Sequence, residues 1–204
     1  DDTMRADHAA LIQDKLLNSN RLFTASTIGT LRMQKDATEQ DILRINAHQA
    51  DIAMRKAWDI IKPGLTEENI ALAIQNSFSD QGALPQFSIV ASGSNSAFPH
   101  HQTGSRKLKE GDAIVIDLGG KFEGYASDIT RMSSIGAPPK DYALIHQIVE
   151  DAVCAAMAAA RPGQIAKNVD RAAREVIEKA GFGKYFVHRT GHGLGTEIHE
   201  PPFI

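Results

Sequence analysis

Apolar residues recur at helical spacing in five stretches of this chain. Between these stretches they alternate with polar residues or run together. The stretch 6–18 (ADHAALIQDKLLN) has a helical pattern. A longer one runs from about Thr38 to Ile61, where Ile42, Ile45, Ile52 and Ala53 repeat with the period of one helix face. Thr38, with Asp41 three residues on, is its expected N-cap, and Lys62-Pro63-Gly64 ends it. A third helix is predicted from Thr66-Glu67-Glu68 to about Gln81, closed by Gly82. Two more are predicted over roughly 139–160 and 165–180. Short β-like runs fill the rest: RLFTASTIGTL at 21–31, then QFSIVASG, AIVIDLGG and GYASDITRMSSI between Pro85 and Ser134. The last stretch, KYFVHRTGHGLGTEIHEPPFI, reads as strand, glycine-rich bend, strand.

These elements contain an internal echo. Lys62-Pro63-Gly64 followed by Asn69, Ile70 and Ala73 matches Arg161-Pro162-Gly163 followed by Asn168, Val169 and Ala172. Each copy has a long helix before it, a helix after it ending at a glycine (Gly82, Gly181), and then a β segment with histidine. The 99-residue offset is too long for a solenoid repeat. It predicts an α+β domain of two αα-ββ halves related by a pseudo-two-fold, with a site where the halves meet.

Composition narrows the class. The chain has 204 residues, 42% of them hydrophobic, enough for one sizeable core and part of a second domain. Its net charge of −3 offers none of the basic excess that a nucleic-acid partner requires. No apolar run approaches the length of a membrane span, and nothing reads as a secretory leader, so a cytoplasmic location is expected. Cys154, alone in an Ala-rich helical stretch, is expected to be a buried thiol in a reducing compartment. The start at Asp1 in helix-like sequence and the stop after HEPPFI both look like cuts.

Candidate chemistry lies in the carboxylates and histidines of the β segments. Asp117 ends the apolar run AIVID, a strand expected to be buried on both faces. Gly119, Gly120 and Gly124 supply turn geometry before Asp128 returns on a second strand. Such a hairpin can place both carboxylates on one face, where they repel unless a cation lies between them. Taken singly, each has an ordinary structural role open to it, Asp117 capping a turn and Asp128 pairing with Arg131. Five of the eight histidines fall in two short segments, His100-His101 and His188, His192 and His199. His8, His48 and His146 sit in helical stretches and read as surface residues. His192, bracketed by Gly191, Gly193 and Gly195, belongs to a backbone that bends closely round something.

The segments PHH at 99–101, DLGGKFEGYASDITR at 117–131 and HRTGHGLGTEIHEPP at 188–202 together resemble the Xaa-Pro dipeptidases (prolidases) and aminopeptidases P. Those families share the pita-bread fold with methionine aminopeptidase and creatinase. The resemblance covers about residues 32–204, as a pita-bread catalytic domain lacking its last strands, and makes 1–31 the tail of a small N-terminal domain and linker. It implies two divalent ions (Mn, Co or Zn) held by Asp117, Asp128 as the bridge, and His192. In the family two glutamates further along the chain complete the shell. Neither Glu197 nor Glu200 aligns with them, and Glu200 is expected at the rim of the site. By the same resemblance His100 and His199 bind substrate and assist catalysis, and His188 is a further pocket residue. The implied reaction is hydrolysis of the bond between an amino-terminal residue and proline by a hydroxide that the two metals activate. The implied partners are a small peptide with proline in second position and a second copy of the chain in a homodimer. A fragment ending at residue 204 is expected to be inactive. Methionine aminopeptidase, a metal-free creatinase-like hydrolase and a non-catalytic module of the same fold are the competing readings. Because Asp117, Asp128 and His192 are all present, the last two are disfavoured.

Overall fold

Two helix pairs, each closed by a glycine turn, organise the chain, which a computed structural model describes over residues 4–18 and 28–204. The first helices are α1 (Ala6–Lys15) and α2 (Ile28–Met33). Of the strand predicted over 21–31, residues 21–27 lie outside the described residues, and 28–31 are helical. Then come α3 (Ala37–Ile60) and α4 (Glu67–Asp80). The start of α3 departs from expectation: Asp36, not Thr38, is the cap. The Glu39 N–H donates to Asp36 and the Asp36 N–H donates to Glu39, so two otherwise orphaned donors are satisfied at once.

The buried face of α3 is also displaced from the apolar pattern. Asn46, Ala50, Ala53, Met54 and Ala57 are buried, whereas Ile45 is 48% exposed. Asn46 explains the shift. Its side chain donates to the Phe122 carbonyl and accepts from the Phe122 N–H, so a polar residue takes a core position by satisfying the end of a strand.

That strand belongs to an antiparallel sheet built from β1 (Leu84–Ser92), β2 (Ala113–Phe122), β3 (Tyr125–Ala126) and β4 (Ile129–Ser134). β2 is central, paired with β1 on one side and with β4 and then β3 on the other. Ile114, Ile116 and Leu118 of β2 pack with Val90 against Met54, Ile70, Ile74 and Phe78 of α3 and α4. Gly119 and Gly120 lie inside β2, not in a turn. The turn is Glu123-Gly124, with φ of 51° and 81°, the left-handed pair that a two-residue hairpin needs. The two strand glycines serve packing. A Cβ at Gly120 would lie 2.5 Å from the ring of Phe78, which is fully buried and has nowhere to go. Gly120→Ala is therefore expected to cost about 1–3 kcal/mol, read as a lower midpoint in thermal or urea unfolding.

The second half repeats the helix pair with α5 (Tyr142–Ala159) and α6 (Ala166–Lys179), packed through Ala152, Ala156, Val169, Ala173 and Ile177. The echo is present in the backbone. Gly64 and Gly163 have φ of 90° and 84°, Gly82 and Gly181 have 72° and 86°, and Ile70 and Val169 are both buried. It fails at the caps: Thr66 accepts from the Asn69 N–H, whereas Ile165, its counterpart, has no side-chain oxygen to offer. Cys154 is exposed, not buried. It stands two residues from both Ala152 and Ala156, on the opposite side of α5. The strand expected at Lys184–His188 is a 3-10 turn over Gly183–Tyr185. Phe182 and Phe186 dock on the α5–α6 core there, and the Phe186 carbonyl accepts from Arg174. The chain then forms the short pair β5 (His192–Gly193) and β6 (Glu200–Phe203). No helix among the described residues is long and apolar enough to cross a membrane.

Candidate metal centre

Both carboxylates lie on the hairpin, but Asp128 falls in the break between β3 and β4 and not in the strand expected there. Asp117 on β2 stands opposite Thr130 on β4, so Asp128, two residues before Thr130, is the diagonal neighbour on the same face. The Thr130 hydroxyl donates to Asp117 at 2.7 Å. Asp128 does not pair with Arg131, whose guanidinium instead donates to the Thr130 carbonyl. Asp128 faces His192, with Nε2 3.4 Å from Oδ2.

The histidine loop reaches this point by bending round its own chain. A Cβ on Gly193 would collide with the carbonyls of Glu200 and Pro201, and one on Gly195 with the Glu200 carboxylate. The expected close bend is thus present, and what it encloses is the segment 200–201. The loop is stitched to the hairpin by the Ala126 N–H donating to the Gly195 carbonyl (2.8 Å) and by Lys121 Nζ donating to the Thr196 carbonyl (2.8 Å). His199 packs edge-on to His192 with ring centroids 4.3 Å apart. His100 and His188, from separate loops, meet edge-on at 5.5 Å. α6 positions the latter, since Arg174 donates to the His188 carbonyl and Asp170 accepts from Thr190 in the same loop.

The charges gathered here oppose one another. Burial raises the Asp117 carboxyl above its usual range, against the hydrogen bond from Thr130 and the fields of His100, His192 and His199. Burial, with the charge of Asp117 added to it, pushes Asp128 up to about 6. His199 is lowered by burial first, then by His192, Arg189 and His100, so its ring is neutral at neutral pH. Two destabilised carboxylates beside imidazoles form a donor set that a divalent cation would relieve. Among the described residues, Asp128, His192 and His199 offer ligand atoms all within 4.8 Å of one another. His199, expected to bind substrate, is one of these three, and Asp117 is not.

Several supporting residues were not legible in the sequence. Glu200 is no rim residue. It is 3% exposed, and its carboxylate accepts from Arg32 (3.1 Å) and Lys35 (2.5 Å). Arg32 also donates to the Thr196 hydroxyl. The α2–α3 junction therefore clamps the loop carrying His199, a contact spanning more than 160 residues. No local pattern announces it. Glu197 is exposed, and His100, His188 and His199 are accessible at the mouth of the centre.

Residues 41–204 match metallopeptidase family M24. A probable dipeptidase PepE of Mycobacterium tuberculosis is 40% identical over 205 residues, covering 100% of this chain and 54% of that protein. A Xaa-Pro dipeptidase of Pyrococcus furiosus is 40% identical over 179 residues, 87% of this chain and 51% of that protein. The crystal structure of dipeptidase PepE from Mycobacterium ulcerans superposes with a TM-score of 0.94 at 40% identity, over 99% of this chain and 55% of that one. The chain thus spans about half the length of the relatives it matches, and its architecture is the pita-bread α+β fold. A centre of two aspartates and an imidazole, on that architecture and within that stretch of matching sequence, places the chain in metallopeptidase family M24.

Proposed function

We propose that the chain carries part of the active site of a metal-dependent peptidase that cleaves an amino-terminal residue from proline in small peptides. The observation behind this reading is the convergence of Asp117, Asp128 and His192, in which two half-buried carboxylates are disfavoured as charges until a cation joins them. The names of the relatives supply the substrate class: one is a Xaa-Pro dipeptidase and another a probable dipeptidase. In this reading Asp117, Asp128 and His192 would hold the divalent ions. Bound there, the ions would polarise the scissile carbonyl and lower the pKa of water at the site. Because the ring of His199 is neutral, it has one N–H to give, and with His100 it donates to the carbonyl oxygen as negative charge grows there. His188 limits the swing of His100 by packing edge-on against it. A homodimer in the cytoplasm belongs to the same reading.

The test is an assay of the full-length protein, freed of metal by chelation and then given Mn²⁺, Co²⁺ or Zn²⁺. Ala-Pro turnover should return with at least one ion, and Met-Ala-Ser should be a poor substrate. Cleavage of Met-Ala-Ser alone would move the assignment to a methionine-directed enzyme. Turnover of Ala-Pro undiminished by chelation would overturn the metal role.

A further inference from the structure

A fully buried carboxylate lies outside the centre and is not used by the chemistry proposed above. Glu67, the first residue of α4, has no exposed surface and yet is surrounded by donors. Its Oε1 accepts from the Ser92 N–H (2.7 Å), the Ser92 hydroxyl (2.7 Å) and the Asn95 amide (3.0 Å). Its Oε2 meets His101 Nε2 at 2.9 Å and the Gly104 N–H at 3.4 Å. Burial works against ionisation of this group, but hydrogen bonds from Ser92, His101 and Asn95 outweigh it and hold the carboxyl below the usual range. The first turn of a helix also favours an anion.

The donors all come from one segment. Ser92 ends β1, Asn95 lies in the 3-10 turn after it, and His101 and Gly104 follow the turn that the His101 N–H closes onto the Phe98 carbonyl. His100 lies in that turn, immediately before the ring that Glu67 holds. The anchor is itself braced: Arg106 donates to the Ser92 hydroxyl and pairs with Asp112, while the Glu67 and Glu68 N–H groups donate to the carbonyls of Arg106 and Gly104. One carboxylate therefore grips both flanks of a loop whose exposed tip enters the centre.

We propose that Glu67 is a positioning residue for His100, acting through His101 and the 92–104 loop to fix the ring where a substrate carbonyl would meet it. This deepens the peptidase reading and rests on it. Supporting residues of this kind typically contribute about 10–100-fold to activity. In the full-length protein, Glu67→Ala is expected to lower kcat for Ala-Pro by about 10–100-fold with KM changed by less than about threefold, while Glu67→Gln retains most of the rate.

The discriminating measurement is a double-mutant cycle. If Glu67 acts through His100, Glu67→Ala added to His100→Ala costs little more than His100→Ala alone. Losses that add independently, or an unchanged kcat per folded molecule, would overturn the proposal. Should Glu67→Ala fail to fold, His101→Ala is judged by the same criteria, because it removes one donor and leaves the carboxylate its other four. Failure of the parent enzyme to cleave Ala-Pro would instead sink the peptidase reading, and the imidazole NMR signal of His100 then decides the positioning role. Displacement or broadening of that signal in the variants, with His8 and His48 unmoved, supports it. An unmoved His100 refutes it.

Discussion

Asp128→Asn is expected to make the metal-free protein more stable and the enzyme inactive. The stability half follows from the direction of the shift. In the unfolded chain this carboxyl releases its proton near 3.8, whereas in the folded protein burial and then the charge of Asp117 hold the proton until about pH 6. Ionisation is thus harder in the folded state. The penalty is absent below pH 4, grows as the pH rises to 6, and is complete above that. A shift of this size corresponds to roughly 2–3 kcal/mol, so the neutral amide should raise the thermal midpoint at pH 7.5 by about 4–10 °C, a gain that vanishes near pH 4. The activity half has the opposite sign: without the charge, Ala-Pro hydrolysis with added Mn²⁺ should fall by about 10³-fold or more, and stabilisation by the metal should disappear. Calorimetry across pH, with and without Mn²⁺, checks both. A variant less stable than the parent at pH 7.5 without metal would contradict the electrostatic account of the centre.

The second large effect is expected at Glu200. Glu200→Ala strands Lys35, whose side chain is only 14% exposed, and frees Arg32, while opening a hole beneath Gly195. Breaking a buried ion pair from one side costs about 3–5 kcal/mol, which lowers the midpoint by roughly 6–20 °C in a chain of this size. Because His199 is the preceding residue, the folded fraction should also lose activity, by about 10–100-fold. Glu200→Gln, which keeps the shape but offers one accepting oxygen where Arg32 and Lys35 each need one, should lie between. A midpoint within a degree of the parent would show that the clamp carries no weight.

The sequence shows the centre better than it shows the frame. Asp117 and Asp128 are eleven residues apart in one hairpin, close enough to be brought alongside each other, but their shared face rests on the register that the Glu123-Gly124 turn sets. His192 is flagged by the glycines that its bend requires. What eludes sequence reading is whatever depends on distant partners. The burial of Asn46 depends on the end of β2, and that of Glu200 on Arg32 and Lys35, contacts that leave no periodic trace. Local rules misjudge three further places for the same reason. Thr38 has the right type and spacing for a cap, but Asp36 with Glu39 forms the reciprocal pair. Gly119 and Gly120 look like a turn but make room for rings and backbone. Residues 184–188 have strand composition, yet the α5–α6 core takes up the ring of Phe186.

Of the two bonds that join the acidic hairpin to the histidine loop, one runs from the Ala126 amide to the Gly195 oxygen, main chain to main chain. The link therefore needs no side chain at either residue, although Gly195 itself is fixed, because a Cβ there would meet the Glu200 carboxylate. At position 126 only proline, which has no amide proton to donate, would erase it outright. The alignment of the two segments is inherited with the backbone and so survives diversification of the pocket around it.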